Sequence, residues 1–303
     1  MKSFIRALGR EAESRAAALA ANRGGETATL YFGGGTPSML SDTHLGRLME
    51  TLDRLVPVDK LDEFSFEANP ATFTEKKVRF WRSLGMTRVS LGVQSLDSGI
   101  LHLLGREHTP AQALHSVEML KNAGMPHINM DLMFAIPGQT LSIWEATLKE
   151  AVRAGTDHIS AYNLTYEEDT EFFRSLLRGE KRQDPDEDAA FFELAEHMLE
   201  AAGLRHYETS NYAREGCISP HNMAYWKGED YVGIGPGAVS TINGIRYSNT
   251  RDTDAYIRST LENGLPLSEQ EPVTEEDYRL ERIALMLRTD EGLPLKYILP
   301  ESR

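Results

Sequence analysis

Short apolar runs alternate with longer amphipathic stretches along the first half of the chain, and each apolar run closes on polar residues. The runs are Thr27–Phe32, Phe64–Glu67, Arg88–Val93, His127–Phe134 and His158–Leu164. Their length and branched or aromatic content predict buried strands. Between them, apolar residues recur at helical spacing. Leu45, Leu48, Met49 and Leu52 share one face of a helix predicted from Ser41-Asp42 to Leu55. Further helices are expected over Thr74–Leu84, Pro110–Ala123 and Leu141–Ala154, the last two closed by Gly124 and Gly155. A strand–helix repeat of this kind predicts a parallel βα barrel. In such a barrel all strand C-termini open on one face, and the ligand site lies there.

The pattern frays at both ends. Residues 1–22 read as a helix, with Phe4, Ile5, Leu8, Ala16 and Leu19 near one face, whereas a βα barrel begins with a strand. After Leu164 come a charged loop (Lys181–Asp188), a helix (Phe191–Ala202) and a final barrel strand (Tyr207–Tyr212). Asn222–Asn249 is rich in Gly, Tyr and Trp without helical period, and Thr253–Asn263 and Thr274–Leu287 are helical again. The expected fold is α/β: a partial βα barrel lacking its first strand over residues 1–250, with accessory strands, then a helical segment over 251–303 that begins a C-terminal domain. The chain is expected to be cut short at both ends.

Composition narrows the chemistry. A net charge of -14 argues against nucleic acid as a partner. The single cysteine, Cys217, excludes an internal disulfide and an all-cysteine metal site. There is no apolar run long enough for a membrane span and no signal-peptide core, so a cytoplasmic location is expected.

The polar strand ends supply the candidate site. Gly33-Gly34-Gly35-Thr36-Pro37 can bring backbone amides close to a ligand, although a tight turn would use the same residues. Glu67, Gln94 and Asp131 close apolar strands, where a polar group must be paired or face a ligand. Arg106 precedes a helix and can clamp a carboxylate. Gly233-Ile234-Gly235-Pro236-Gly237-Ala238 resembles a dinucleotide fingerprint but lacks a helix behind it, so a structural loop is expected. His221, within His221-Asn222-Met223-Ala224-Tyr225-Trp226, suits a flat apolar ligand such as a porphyrin; a histidine hydrogen-bonded under a loop is the plain alternative.

In order, Tyr31-Phe32-Gly33-Gly34-Gly35-Thr36-Pro37-Ser38, Glu67-Ala68-Asn69-Pro70, Ser90-Leu91-Gly92-Val93-Gln94-Ser95, Gly105-Arg106 and Asp131-Leu132 resemble the radical S-adenosylmethionine family of oxygen-independent coproporphyrinogen oxidases and their haem-chaperone relatives. Tyr207-Glu208-Thr209-Ser210-Asn211-Tyr212-Ala213 and the His221–Trp226 stretch are similar to the chaperone branch. The resemblance implies that Gly34, Gly35 and Thr36 meet the methionine end of S-adenosylmethionine, with Glu67, Gln94, Arg106 and Asp131 completing the pocket. It implies haem as cargo, His221 as its candidate ligand, and a haem-accepting protein, membrane-associated or not, as partner. The alternative it carries is oxidative decarboxylation of coproporphyrinogen III propionates. A third reading is a degenerate binding module.

One departure matters most. The family holds a [4Fe-4S] cluster on Cys-x3-Cys-x2-Cys after its first barrel strand, and this chain has one cysteine, so neither cluster nor radical activity is expected of it. Cys217 and Val239 also stand where the family tends to have histidine.

Overall fold

The computed structural model describes residues 1–21, 28–165 and 185–295. Five parallel strands lie side by side in chain order: β1 (Thr29–Phe32), β2 (Glu63–Ala68), β3 (Arg88–Gln94), β4 (His127–Phe134) and β5 (His158–Asn163). The chain enters through α1 (Lys2–Ser14) and α2 (Ala16–Ala21). The helices between strands are α3 (Asp42–Leu55), α4 (Glu75–Ser83), α5 (Ser98–Leu103), α6 (Pro110–Asn122) and α7 (Leu141–Ala154). Each of these five starts at a side chain that accepts the N3 amide: Ser41, Thr74, Asp97, Thr109 and Thr140. Gly155 closes α7 in the left-handed conformation, φ 64°. The helix expected over 1–22 instead breaks at Arg15, whose guanidinium turns back to Glu11; residue 22 lies outside the described residues.

Period-two alternation gives the sheet two unlike faces. Phe64, Phe66, Val89, Leu91, Ile128, Met130, Leu132 and Ile159 point to the helices and join Leu45, Trp81, Val117, Trp144 and Leu148 in one core. Trp81 and Trp144 are fully buried, and truncating either to alanine should cost about 3–5 kcal/mol. The opposite face carries Thr29, Tyr31, Glu63, Ser65, Glu67, Arg88, Ser90, Asn129, Asp131, His158 and Ser160. Registers such as Glu67↔Ser90, Ser90↔Asn129 and Asp131↔Ser160 place these polar groups side by side.

The far edge differs from expectation. Tyr207–Tyr212 is not one strand but a hairpin of β6 (Arg205–Glu208) and β7 (Asn211–Ala213), giving the order β1-β2-β3-β4-β5-β7-β6. β7 runs antiparallel to β5 because the β6–β7 hairpin reverses the chain, and Ser160 donates to the side-chain oxygen of the facing Asn211 at 2.6 Å. α8 (Pro185–Ala201) packs on α7. Of the loop expected at Lys181–Asp188, residues 181–184 lie outside the described residues, and Asp186, Glu187 and Asp188 form the acidic first turn of α8.

Asn222–Asn249 shows no helical period in the sequence, yet a helix runs into its start. Pro220 starts α9 (Pro220–Trp226), where its missing N–H costs nothing, and Ser219 caps it. Cys217 precedes this helix and His221 sits in its first turn. A second sheet, β8 (Val239–Ile242), β9 (Ile245–Asn249) and β10 (Ser268–Pro272), is antiparallel throughout, and β10 is a strand within the stretch expected to be helical. α10 (Thr253–Asn263) and α11 (Glu275–Met286) complete the described chain; residues 296–303 lie outside it.

The glycine-rich loop before β8 is structural. A Cβ on Gly233 would fall 2.1 Å from the Val239 carbonyl oxygen, and the Gly235 amide donates to Glu11 at 3.0 Å. Glu11 is fully buried and also accepts from Tyr256 Oη, Asn249 Nδ2 and Arg15 Nε, tying α1 to both the loop and α10.

Candidate functional site

The polar face of the sheet grades from closed to open along the strands. Near the strand starts Glu63, Arg88 and His158 are buried, and α9 packs against β1 and β2 there. Toward the strand ends Glu67 and Asp131 are only half-buried, and Tyr31 and Tyr162 are exposed. The open end is therefore the mouth anticipated from the polar strand termini.

At β1, Gly34 and Gly35 adopt φ of 75° and 72°, which favours glycine, and a Cβ at either would meet nothing within 4 Å. Glu67 reaches across from β2 and accepts the Gly34 amide at 3.0 Å and the Tyr31 hydroxyl at 2.6 Å. Gly33 must lack a side chain, because a Cβ would lie 2.4 Å from the Tyr31 ring and 2.6 Å from Glu67 Oε1. Thr36 accepts from Asn69 Nδ2 at 3.4 Å. Gln94 sits at a bulge between β3 and β4 with φ 67°, and its amide faces Gly92, where a Cβ would lie 3.3 Å away and 3.0 Å from Asn69 Oδ1.

Asp131 is held by Ser90, which donates at 2.9 Å, and by Asn129 Nδ2 at 2.7 Å. Loss of solvent outweighs these bonds and pushes its pKa up to about 6. Burial also lowers the Arg106 pKa, opposed by the Asp131 carboxylate, so the two groups share one electrostatic neighbourhood. Behind Asp131 the network continues into the sheet. Asn129 accepts from His158 Nδ1 at 2.7 Å, and Tyr207 Oη bonds His158 Nε2 at 2.8 Å. With both ring nitrogens so used, burial depresses the His158 pKa to about 3 and keeps the ring neutral.

His221 comes to this same face from the other side. Its Nδ1 is hydrogen-bonded to the Thr29 hydroxyl at 2.7 Å. Its ring stacks on Tyr31 at 4.7 Å between centroids and meets the edge of Tyr225 at 5.1 Å. Burial lowers its pKa, which favours the neutral imidazole. The loop leading to it is anchored by the buried Arg88–Glu63 pair, 2.6 Å apart: Arg88 donates to the Cys217 carbonyl, and Ser219 donates to Glu63.

All eight residues singled out from sequence thus lie on or beside one face. Tyr31, Ser90, Asn129, His158 and Ser160 were not singled out. The signal that finds them is the period-two spacing of polar-bearing side chains in β1 to β5, of which only the strand ends are taken up in the sequence reading. The donor set suits a small zwitterion that carries a carboxylate, an amine and a cationic centre, with Arg106, Glu67 and Asp131 as the charged partners. It does not suit an iron–sulfur cluster, since the chain's one cysteine lies beside the strand starts, at the closed end.

A mostly parallel sheet with crossover helices on one face and a converging polar mouth on the other is the framework of the radical S-adenosylmethionine enzymes, and the Radical SAM superfamily model matches residues 9–151. The chain is 36% identical to the haem chaperone HemW of Bacillus subtilis over 270 residues, 88% of this chain and 71% of that one. It is 37% identical to HemW of Lactococcus lactis over 232 residues, covering 76% of this chain and 61% of the relative. The structure described as coproporphyrinogen III oxidase HemN of Escherichia coli, a radical SAM enzyme, superposes with a TM-score of 0.82 at 21% identity, covering 98% of this chain and 72% of that one. The chain belongs to the HemW family of the radical SAM superfamily.

Proposed function

We propose that this chain binds haem through His221 and S-adenosylmethionine at the mouth, and serves to pass haem to an acceptor protein rather than to perform radical chemistry. The observation that carries the haem assignment is the setting of His221: burial favours its neutral form, Nδ1 is engaged by Thr29, and Tyr31 and Tyr225 flank the ring. That arrangement leaves Nε2 as the coordinating atom and sets aromatic surface around it for a flat macrocycle. The names of the relatives support haem as cargo.

At the mouth, Arg106 clamps the carboxylate of S-adenosylmethionine, while Glu67 and the left-handed Gly34-Gly35 turn receive its amino end. Thr36 stands beside that turn. Asp131 faces the cationic part of the ligand, and the Gln94 amide closes the side next to Gly92. In the radical SAM family the sulfonium is cleaved reductively by a bound cluster, and this chain's single cysteine, at the far end of the sheet, cannot supply the three thiolates one needs. Its residues bind and orient the ligand and move no proton in that step. Among the described residues no helix is long and apolar enough to cross a membrane.

The test is haem titration followed by absorption. The wild-type chain should bind one haem with a shifted Soret band. His221→Ala should lose the shift, while S-adenosylmethionine binding measured by calorimetry stays intact. An unchanged Soret band in the variant would refute the assignment of His221. Oxidation of coproporphyrinogen III by this chain would favour the oxidase reading instead.

A further inference from the structure

A second constellation lies at the opposite end of the sheet from the mouth. His127 is the first residue of β4, Asp157 immediately precedes β5, and Cys217 lies in the loop between β7 and α9. Their ligating atoms all fall within 4.8 Å of one another. His127 Nδ1 and Asp157 Oδ2 are 2.6 Å apart. These residues are far apart in sequence, and only the parallel stacking of β4 on β5 with β7 alongside brings them together.

The cluster is built rather than accidental. Asp157 is oriented by the Ile128 amide, which donates to Oδ1 at 2.7 Å and leaves Oδ2 directed at the site. The Cys217 loop is fixed from both ends: Arg214 N donates to the Asp157 carbonyl, Cys217 N to the Arg214 carbonyl, and Arg88 Nη2 to the Cys217 carbonyl. Gly216, at φ 75°, makes the turn that presents the thiol. His127 and Asp157 are 32% and 19% exposed, so an ion can enter yet would be largely shielded. The nearby cations are otherwise engaged, Arg88 with Glu63 and Arg214 with the Ala202 carbonyl.

We propose that His127, Asp157 and Cys217 bind one thiophilic divalent cation of the zinc type, with a fourth position open to water. One imidazole nitrogen, one carboxylate oxygen and one thiolate form a mixed set that such an ion accepts in tetrahedral geometry. A carboxylate and a thiolate balance its two positive charges; binding releases the thiol proton, shifts the His127 ring proton from Nδ1 to Nε2 and opens the His–Asp hydrogen bond. With metal–ligand lengths of about 2.0–2.3 Å, the ligand atoms would stand roughly 3.3–3.7 Å apart. The His127–Asp157 contact must then open, and the longest separation close, each by roughly an ångström. A bound ion would cross-link β4, β5 and the loop that leads into α9. This site is independent of the haem and S-adenosylmethionine reading.

The experiment is titration of the reduced, haem-free chain with Co2+ and then Zn2+. We expect one Co2+ per chain with a thiolate-to-cobalt charge-transfer band, displaced by Zn2+. Because Cys217 is the chain's one cysteine, that band can come from no other residue. Equimolar Zn2+ should also slow alkylation of Cys217 by at least about tenfold. Cys217→Ser should abolish the band and weaken cobalt binding by more than the roughly 10–100-fold typical of losing an outer-shell partner. His127→Gln should do the same. Asp157→Asn is accompanied by a thermal melt, since Asp157 also holds the Ile128 amide. His221→Ala should leave the titration unchanged. Absence of the band, unchanged affinity in Cys217→Ser, or alkylation indifferent to Zn2+ would each overturn the proposal.

Discussion

Replacing Glu11 by glutamine tests whether one buried carboxylate fastens the entry helix to the rest of the chain. Glu11 lies fully buried in α1 and accepts four hydrogen bonds. Its Oε1 takes Arg15 Nε and Asn249 Nδ2, each at 2.9 Å, and its Oε2 takes the Gly235 amide at 3.0 Å and Tyr256 Oη at 2.7 Å. Both oxygens thus face two donors. A glutamine must turn its NH2 toward one of the two pairs, whichever way the amide flips, so two bonds are lost. Bonds to a charged group are worth about 1.5–3 kcal/mol each. Tyr256 can rotate its hydroxyl away, so the loss should be about 2–4 kcal/mol. Alanine removes all four bonds and leaves the Arg15 guanidinium, 10% exposed, without its carboxylate, for about 3–5 kcal/mol. Urea denaturation of the whole chain, followed by far-ultraviolet circular dichroism, measures both. A Glu11→Gln loss below about 1 kcal/mol would refute the claim that this carboxylate carries the α1 attachment.

Further outcomes follow from the inner face. His158 has a folded pKa of about 3 against an ordinary 6.5, so between those values the unfolded chain binds more protons than the folded one. Stability should therefore fall on acidification from about pH 6.5, and His158→Gln should flatten that part of a stability–pH curve; an unchanged acid slope would refute it. Asp131 acts oppositely: its folded pKa of about 6 exceeds the ordinary 3.8, so its contribution is greatest below about pH 4 and is lost as pH rises through 6. Asp131→Asn should remove that decline, seen as a gain in melting temperature at pH 7 relative to pH 4. Gly33→Ala would drive a methyl into Tyr31 and Glu67. It should weaken S-adenosylmethionine by about tenfold or more while leaving far-ultraviolet dichroism unchanged, and unaltered affinity by calorimetry would count against the pocket.

The sequence by itself determined the strand–helix repeat. Apolar runs such as His127–Phe134 and the helix Asp42–Leu55 with its Ser41 cap appear where their periodicity places them, because burial of one face and satisfaction of terminal amides are local demands. It also determined which strand ends are polar, hence which end of the sheet carries the candidate site. The antiparallel insertion of β7, the helix starting at Pro220 and strand β10 were decided by partners distant in sequence. Ser160 donates to Asn211, Glu63 holds Ser219, and β9 pairs the length of β10. The same holds for the sites. Glu67 and Asp131 stood out as polar groups closing apolar runs, but that His221 would stack on Tyr31, or that His127, Asp157 and Cys217 would converge, required the sheet to be assembled. Spacing along the chain reports which face a residue shares with its neighbours; which residues meet across the sheet is set by strand order and register, which only the tertiary packing selects.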